Sequence, residues 1–281
     1  MTDLQTLKRF SAQIRLETLK MLRWRGYGHL GGAMSIVELL SVLYGSQLRH
    51  NPKEPAWEGR DYLVLSKGHA GPSLYATLAL RGYFPPEMLY TLNEGGTNLP
   101  SHPDRLKTPG IDATTGSLGQ GTSVAAGIGM GLRKQGRDNM VYLIVGDGEL
   151  NEGQCWEAFQ FIAHNKLGNV LVIIDENKRQ LDGYTTEVLN PFDIADKMRA
   201  FGFDTRTVKG NDEQAILEGI QAARVVKDSA VCIVLDTIKG QGIPFFEQMK
   251  SNHAIKCTPD VLGAMDEAIA QLEKQLQEGR E

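Results

Sequence analysis

Apolar residues fall into two patterns along this chain. Short runs that resemble buried strands, most of them rich in Val, Ile and Leu, occupy Tyr62–Leu65, Met140–Val145, Val170–Asp175, Phe203–Val208 and Ala230–Leu235. Between most of them lie stretches in which apolar positions recur every three to four residues, at about Gly119–Lys134, Glu152–Asn165, Asp193–Phe201 and Glu213–Val226. Continuous runs predict strands covered on both faces, and the longer period predicts helices. Their alternation predicts an α/β fold: a doubly wound parallel sheet with helices on both faces. The first ~25 residues predict an amphipathic helix ending near Gly26, with Leu4, Leu7, Phe10 and Ile14 on one side. Ser35-Ile36-Val37-Glu38 has the form of a capping box opening a helix through Leu48. Asn51–Arg60 reads as a proline-containing loop, and the residues after Cys257 as a final surface helix with a charged end.

Composition narrows the class. The chain has 281 residues, 41% hydrophobic and 23% charged, which is globular rather than disordered. No internal repeat or low-complexity stretch divides it, so residues 1–281 are expected to form a single domain. Thirty basic against thirty-four acidic residues give a net charge of −4, which argues against a nucleic-acid groove or a polybasic membrane surface. Cys155, Cys232 and Cys257 show neither zinc spacing nor a disulfide framework, so a reducing, cytoplasmic setting is expected. The longest apolar runs, Val170–Ile174 and Val231–Leu235, are far shorter than a bilayer span, and the N-terminus has no signal-peptide core.

In open α/β sheets ligands gather outside the carboxyl ends of the strands. Three such ends are rich in polar groups: SKGHAG after Leu65, GDGELNEG after Val145 and ENKRQLDG after Asp175. A right-handed strand–helix–strand crossover places Asp147 and Asn177 at neighbouring strand ends. A carboxylate and an amide oxygen there suit magnesium, which takes oxygen ligands and leaves positions for phosphate and water. Gly146 and Gly148 let backbone amides approach a phosphate, and a helix opening at Asn151–Glu152 adds its positive end. Either motif alone is an ordinary turn; the crossover between them is what favours a magnesium–diphosphate site. The spacing fits neither an EF-hand nor a P-loop.

Two further features stand out. Gly116-Ser117-Leu118-Gly119-Gln120-Gly121 precedes a helix containing Gly127, Gly129 and Gly131, each costing the helix about 1 kcal/mol relative to Ala. Close packing against another helix is the expected reason; the loose likeness to a dinucleotide fingerprint lacks a convincing preceding strand. Secondly, His29, His69, His102 and His253 all fall in loop contexts (GHLGG, KGHAG, LPSHPD, SNHAIK), where imidazoles can bind hydroxyls and shuttle protons. His50 and His164 read as ordinary residues.

Taken together, GHLGGAMS, LSKGHAGPSLYATL, LPSHPD, TTGSLGQG, GDGELNEG, KLGNV, DENKRQLDG and TIKGQGIP resemble, in order, the N-terminal thiamine-diphosphate-binding portion of transketolases, from about Arg15 to Lys256. The resemblance implies thiamine diphosphate with magnesium (or calcium or manganese in its place) as cofactors. It implies Asp147, Asn177 and the carbonyl of Arg179 as metal ligands, and His69, Gly148 and Asn177 around the diphosphate. It further implies Gly116 and Leu118 against the aminopyrimidine and Leu181 as an apolar cofactor contact. His29 and His102 match donor-sugar-binding histidines, and His253 a histidine near diphosphate and substrate, although KSNHAIKC departs from the family pattern. Lys239, in IKGQG, is a candidate for anionic groups, and Ser117 stands where many relatives have proline. Glu152 matches an acid that positions a partner glutamate responsible for activating the cofactor.

Transketolases normally continue into pyrimidine-binding and C-terminal domains. The length of this chain therefore suggests the N-terminal subunit of a split transketolase, α2β2 with a partner carrying those domains. Its expected reaction moves a two-carbon ketol unit from a ketose, a sugar phosphate or related anionic sugar, to an aldose. The alternatives are a subunit of a 1-deoxyxylulose-5-phosphate synthase-like or 2-oxo-acid dehydrogenase-like enzyme, a non-catalytic cofactor-binding regulator, or a nicotinamide oxidoreductase.

Overall fold

The computed structural model describes residues 3–278. The first two positions of the predicted N-terminal helix and the last three of the C-terminal one lie outside the described residues. The elements are α1 (Leu4–Arg25), β1 (Tyr27–His29), α2 (Gly31–Met34), α3 (Val37–Val42), β2 (Tyr62–Leu65), α4 (Gly71–Leu80), α5 (Gln120–Lys134) and β3 (Val141–Gly146). They continue with α6 (Gly153–His164), β4 (Val170–Glu176), α7 (Thr185–Val188), α8 (Ile194–Ala200), β5 (Phe203–Lys209), α9 (Glu213–Arg224), β6 (Ala230–Asp236), α10 (Pro244–Gln248), β7 (Ala254–Lys256) and α11 (Pro259–Glu278).

Five strands form a parallel sheet in the order β2-β3-β4-β6-β5. Alternate residues of each strand enter two separate cores. On one face Leu65, Tyr142, Ile144, Ile173 and Ile233 join a core with α1, α3, α4 and α9. On the other Val64, Leu143, Val145, Val172 and Val234 join one with α5, α6 and α8. Burial on both faces is why these strands read as continuous apolar runs. Strand β5 departs from that expectation: it is an edge strand in which only Phe203 is buried.

Helix α1 ends at Gly26, which takes the left-handed conformation (φ 82°) and donates its N–H to the Leu22 carbonyl. Leu7, Phe10 and Ile14 are buried as expected, whereas Leu4 is only half-buried. The predicted capping box does not form. The Ser35 hydroxyl turns to the Asp175 carboxylate (2.8 Å) and Glu38 pairs with Arg15 (2.6 Å). The expected single helix from Ser35 through Leu48 is instead α3 followed by a π-helical turn over Leu43–Gln47, and α2 forms ahead of it, within the glycine-rich stretch before Ser35.

The helix glycines also differ from expectation. A Cβ on Gly129 would lie 2.2 Å from Cγ2 of Val170, so Gly129 packs on a strand, not on a helix. Gly127 and Gly131 face open space. Strands β1 and β7, from opposite ends of the chain, pair antiparallel with His29 opposite Ala254.

Candidate active site

Strands β3 and β4 pair with Gly146 opposite Asp175, so the residues that follow them, Asp147 and Asn177, emerge side by side at the carboxyl edge. The Asp147 carboxylate accepts the Gly148 N–H on Oδ1 (2.8 Å) and the Lys178 N–H on Oδ2 (2.6 Å). Lys178 is left-handed (φ 64°), and that turn supports its inward-facing N–H. Burial, reinforced by Asp175, pushes the Asp147 carboxyl up to about 7. Beneath it Asp175 is fully buried and accepts from Lys67 Nζ (2.6 Å), Asn177 Nδ2 (2.6 Å) and Thr237 Oγ1 (2.5 Å). Burial would raise its carboxyl, but the Lys67 ammonium and these donors hold it below the ordinary value. Because Asn177 gives its amide nitrogen to Asp175, its Oδ1 is left for other partners and accepts the Arg179 N–H at 3.2 Å. The short helix at Asp147 is a 3-10 turn over Gly148–Asn151, and α6 begins only at Gly153. The predicted helix opening at Asn151–Glu152 is therefore displaced from the site.

Four imidazoles face this corner. Ring centroids lie 5.8 Å apart for His29–His69, 5.4 Å for His29–His102, 5.3 Å for His29–His253 and 4.6 Å for His69–His253. Pairing of β1 with β7 brings His29 and His253 together, and two backbone bonds lock the segments: Gly31 N–H to Asn252 O (2.8 Å) and Gly240 N–H to Gly31 O (3.0 Å). The loop carrying His102 is tied down by the Tyr75 hydroxyl, which donates to the Pro100 carbonyl (2.8 Å). Burial, then neighbouring positive groups, pushes His29 down to about 4 and His253 to about 3. His69 is lowered well below the ordinary value, by burial and then by Lys67, and burial also lowers His102. All four are therefore neutral at pH 7, each with one donor and one acceptor nitrogen. Lys239 sits among them. Its Nζ lies 3.2 Å from the Arg179 carbonyl, the Gln180 carbonyl and His253 Nδ1, and burial draws it down to about 8.

These groups line one cleft of about 240 Å³. His29, His69, His102, Gly116, Leu118, Asp147, Gly148, Asn177, Arg179, Leu181, Lys239 and His253 all border it. Glu152 does not; it is exposed outside the cleft. Lys67, Glu149, Gln180 and Asp182 also line the cleft and are not among the residues expected from sequence. Lys67 and Glu149 lie inside the SKGHAG and GDGELNEG motifs, but nothing in the sequence separates a buried acid there from a solvated turn residue.

The donor set fits a hard divalent cation. It offers one carboxylate, one amide oxygen and one carbonyl, and Asp147 makes no ion pair among the described residues. The backbone is also pared down for close approach: a Cβ on Gly148 would lie 2.7 Å from Gln180 Cβ, and one on Gly116 (φ 154°) would lie 3.3 Å from the His102 ring. Among the described residues no group of three or more His, Cys, Asp or Glu is arranged to hold a metal ion.

The family model for the transketolase thiamine diphosphate binding domain matches residues 7–275. The chain belongs to the transketolase family. It is 45% identical to a 6-deoxy-6-sulfo-D-fructose transketolase subunit of Clostridium sp. (strain MSTE9), over 93% of this chain and 94% of that one. It is 38% identical to an apulose-4-phosphate transketolase subunit of Actinobacillus succinogenes, over 78% and 79% of the two chains. Among solved structures, the transketolase of Campylobacter jejuni superposes with a TM-score of 0.87 at 28% identity, over 95% of this chain and 43% of that one. This transketolase domain thus spans less than half the length of that solved chain. Its match to a thiamine diphosphate binding domain sets aside the nicotinamide oxidoreductase reading.

Proposed function

We propose that the chain holds magnesium–thiamine diphosphate at the carboxyl edge of its sheet and acts as the N-terminal subunit of a divided transketolase. The carrying observation is the convergence of Asp147 and Asn177 at adjacent strand ends, facing four neutral imidazoles. Asp147, Asn177 Oδ1 and the Arg179 carbonyl would hold magnesium, or calcium or manganese in its place. His69, Gly148, Asn177 and Lys239 would receive the diphosphate, and Gly116, Leu118 and Leu181 the organic rings. Thiamine diphosphate, when bound, supplies the electron sink for carbon–carbon cleavage. His29 and His102 would grip the donor sugar's hydroxyls and carbonyl and move protons there, with His253 beside them.

Glu152, exposed beyond the cleft, suits contact with a second polypeptide bearing the pyrimidine-binding and C-terminal domains, in an α2β2 assembly. Residues 1–281 are then one diphosphate-binding domain. Two relatives named for a sulfosugar and a sugar phosphate support an anionic sugar substrate. No helix among the described residues is long and apolar enough to cross a membrane; free Cys155, Cys232 and Cys257 suit a reducing cytoplasm.

The test is equilibrium binding of thiamine diphosphate with magnesium or with EDTA, at pH 8 and pH 6. Binding is expected to require magnesium and to weaken by about tenfold per pH unit below 7, because a carboxyl raised to about 7 takes up a proton there and a proton competes with the cation. Equal affinity in EDTA, or no loss at pH 6, contradicts the ligand assignment.

A further inference from the structure

We infer that Glu149 and Gln154 clamp the Gly116–Gly119 loop onto the Asp147 turn and thereby fix the spacing between the two ends of a bound thiamine diphosphate; this rests on the cofactor site proposed above. Among the described residues no backbone hydrogen bond joins residues 116–119 to residues 146–150. Side chains make the connection instead. Glu149, 2% exposed and bordering the cleft, accepts the Gly119 N–H (2.8 Å) and the Ser66 hydroxyl (2.5 Å) on Oε1, and the Gly146 N–H (3.1 Å) on Oε2. One carboxylate thus ties together the end of β2, the end of β3 and the residue that opens α5. Gln154, at the start of α6, donates from Nε2 to the Leu118 carbonyl (2.8 Å). The peptide between Leu118 and Gly119 is therefore gripped at both its oxygen and its N–H.

Gly119 is shaped for this grip. Its left-handed backbone (φ 82°) is one that side chains rarely adopt, and a Cβ would lie 2.6 Å from Cγ of Gln154. A buried carboxylate is costly unless several donors serve it, and an apolar residue would fill the space more cheaply. What a carboxylate adds here is a fixed relation between three segments. Leu118 borders the cleft on one side of the clamp, and Asp147 and Gly148 border it on the other. Glu149 and Gln154 are positioning residues: they act on the cofactor through the loop that they hold.

The distinguishing experiment uses the full chain reconstituted with a polypeptide carrying the pyrimidine-binding domain, and two ligands, magnesium–thiamine diphosphate and magnesium with inorganic diphosphate, which engages the metal corner alone. Glu149→Gln preserves volume but sets an amide against N–H donors. Gln154→Ala, at a half-buried position, keeps the test valid if the first variant folds poorly. Each is expected to weaken thiamine diphosphate by about 10- to 100-fold, to leave inorganic diphosphate unchanged within error, and to speed amide exchange over residues 115–122. Equal weakening of both ligands, or faster exchange with thiamine diphosphate affinity unchanged, overturns the clamp. A wild-type assembly of the chain with that polypeptide that binds neither ligand overturns the cofactor reading itself, and the clamp with it.

Discussion

Replacing Asp147 with alanine is expected to lower the affinity for magnesium–thiamine diphosphate by at least ~100-fold, since even residues that merely orient a metal ligand typically contribute 10- to 100-fold. The fold should survive. The Asp147 carboxyl is raised in the folded chain to about 7, above its ordinary value of 3.8. A carboxyl raised on folding contributes stability only while it holds its proton, and that contribution is lost as pH rises through 7. At pH 8 the cofactor-free chain therefore carries an ionised buried carboxylate at a cost, and alanine removes that cost. Against it stand two backbone N–H groups, of Gly148 and Lys178, which lose their acceptor. The melting temperature at pH 8 should consequently change by only a few degrees, while binding is lost. Calorimetric titration alongside thermal melting checks both parts; near-normal magnesium-dependent binding in Asp147→Ala rules out its role as a ligand.

Lys67→Met is expected to destabilise the chain by about 3–5 kcal/mol, the typical result of removing one partner of a buried ion pair. Lys67 and Asp175 are 1% and 0% exposed at their side chains, so water cannot replace the lost ammonium. The same ammonium donates to the Gly32 carbonyl (2.7 Å), in α2, which follows His29. Asp175 in turn orients the Asn177 amide. The effect should therefore reach the cofactor site as well as the core. Adding Asp175→Asn to Lys67→Met removes the stranded charge and should restore part of the stability, although not cofactor affinity. Urea unfolding of the wild type, the single variant and the double variant measures this; a loss below about 1 kcal/mol in the single variant contradicts the buried-pair account.

Strands β2, β3, β4 and β6 are legible because burial on two faces leaves little choice but runs of Val, Ile and Leu, whereas β5, at the edge, buries only Phe203. Asp147 and Asn177 can be brought together from sequence because a right-handed crossover admits few arrangements. Other features depend on contacts that no local pattern announces. Ser35 carries the signature of a helix cap, but the Asp175 carboxylate, 140 residues away, takes its hydroxyl. The pairing of Tyr27–His29 with Ala254–Lys256 involves three residues on each side and no alternating pattern, so neither segment announces the meeting of His29 with His253. Glu149 looks like any acid in a glycine turn, and only the fold shows three donors closing on it. Gly127 and Gly131 suggest an internal packing role that the structure leaves unfilled.

The central claim is that this chain supplies one half of a cofactor site whose other half belongs to a second polypeptide. The most direct measurement is two-carbon ketol transfer by the purified chain, alone and after reconstitution with a co-expressed polypeptide carrying a pyrimidine-binding domain, in magnesium and thiamine diphosphate throughout. The expected result is turnover only in the reconstituted assembly. Turnover by the chain alone at the rate of the reconstituted assembly would contradict it.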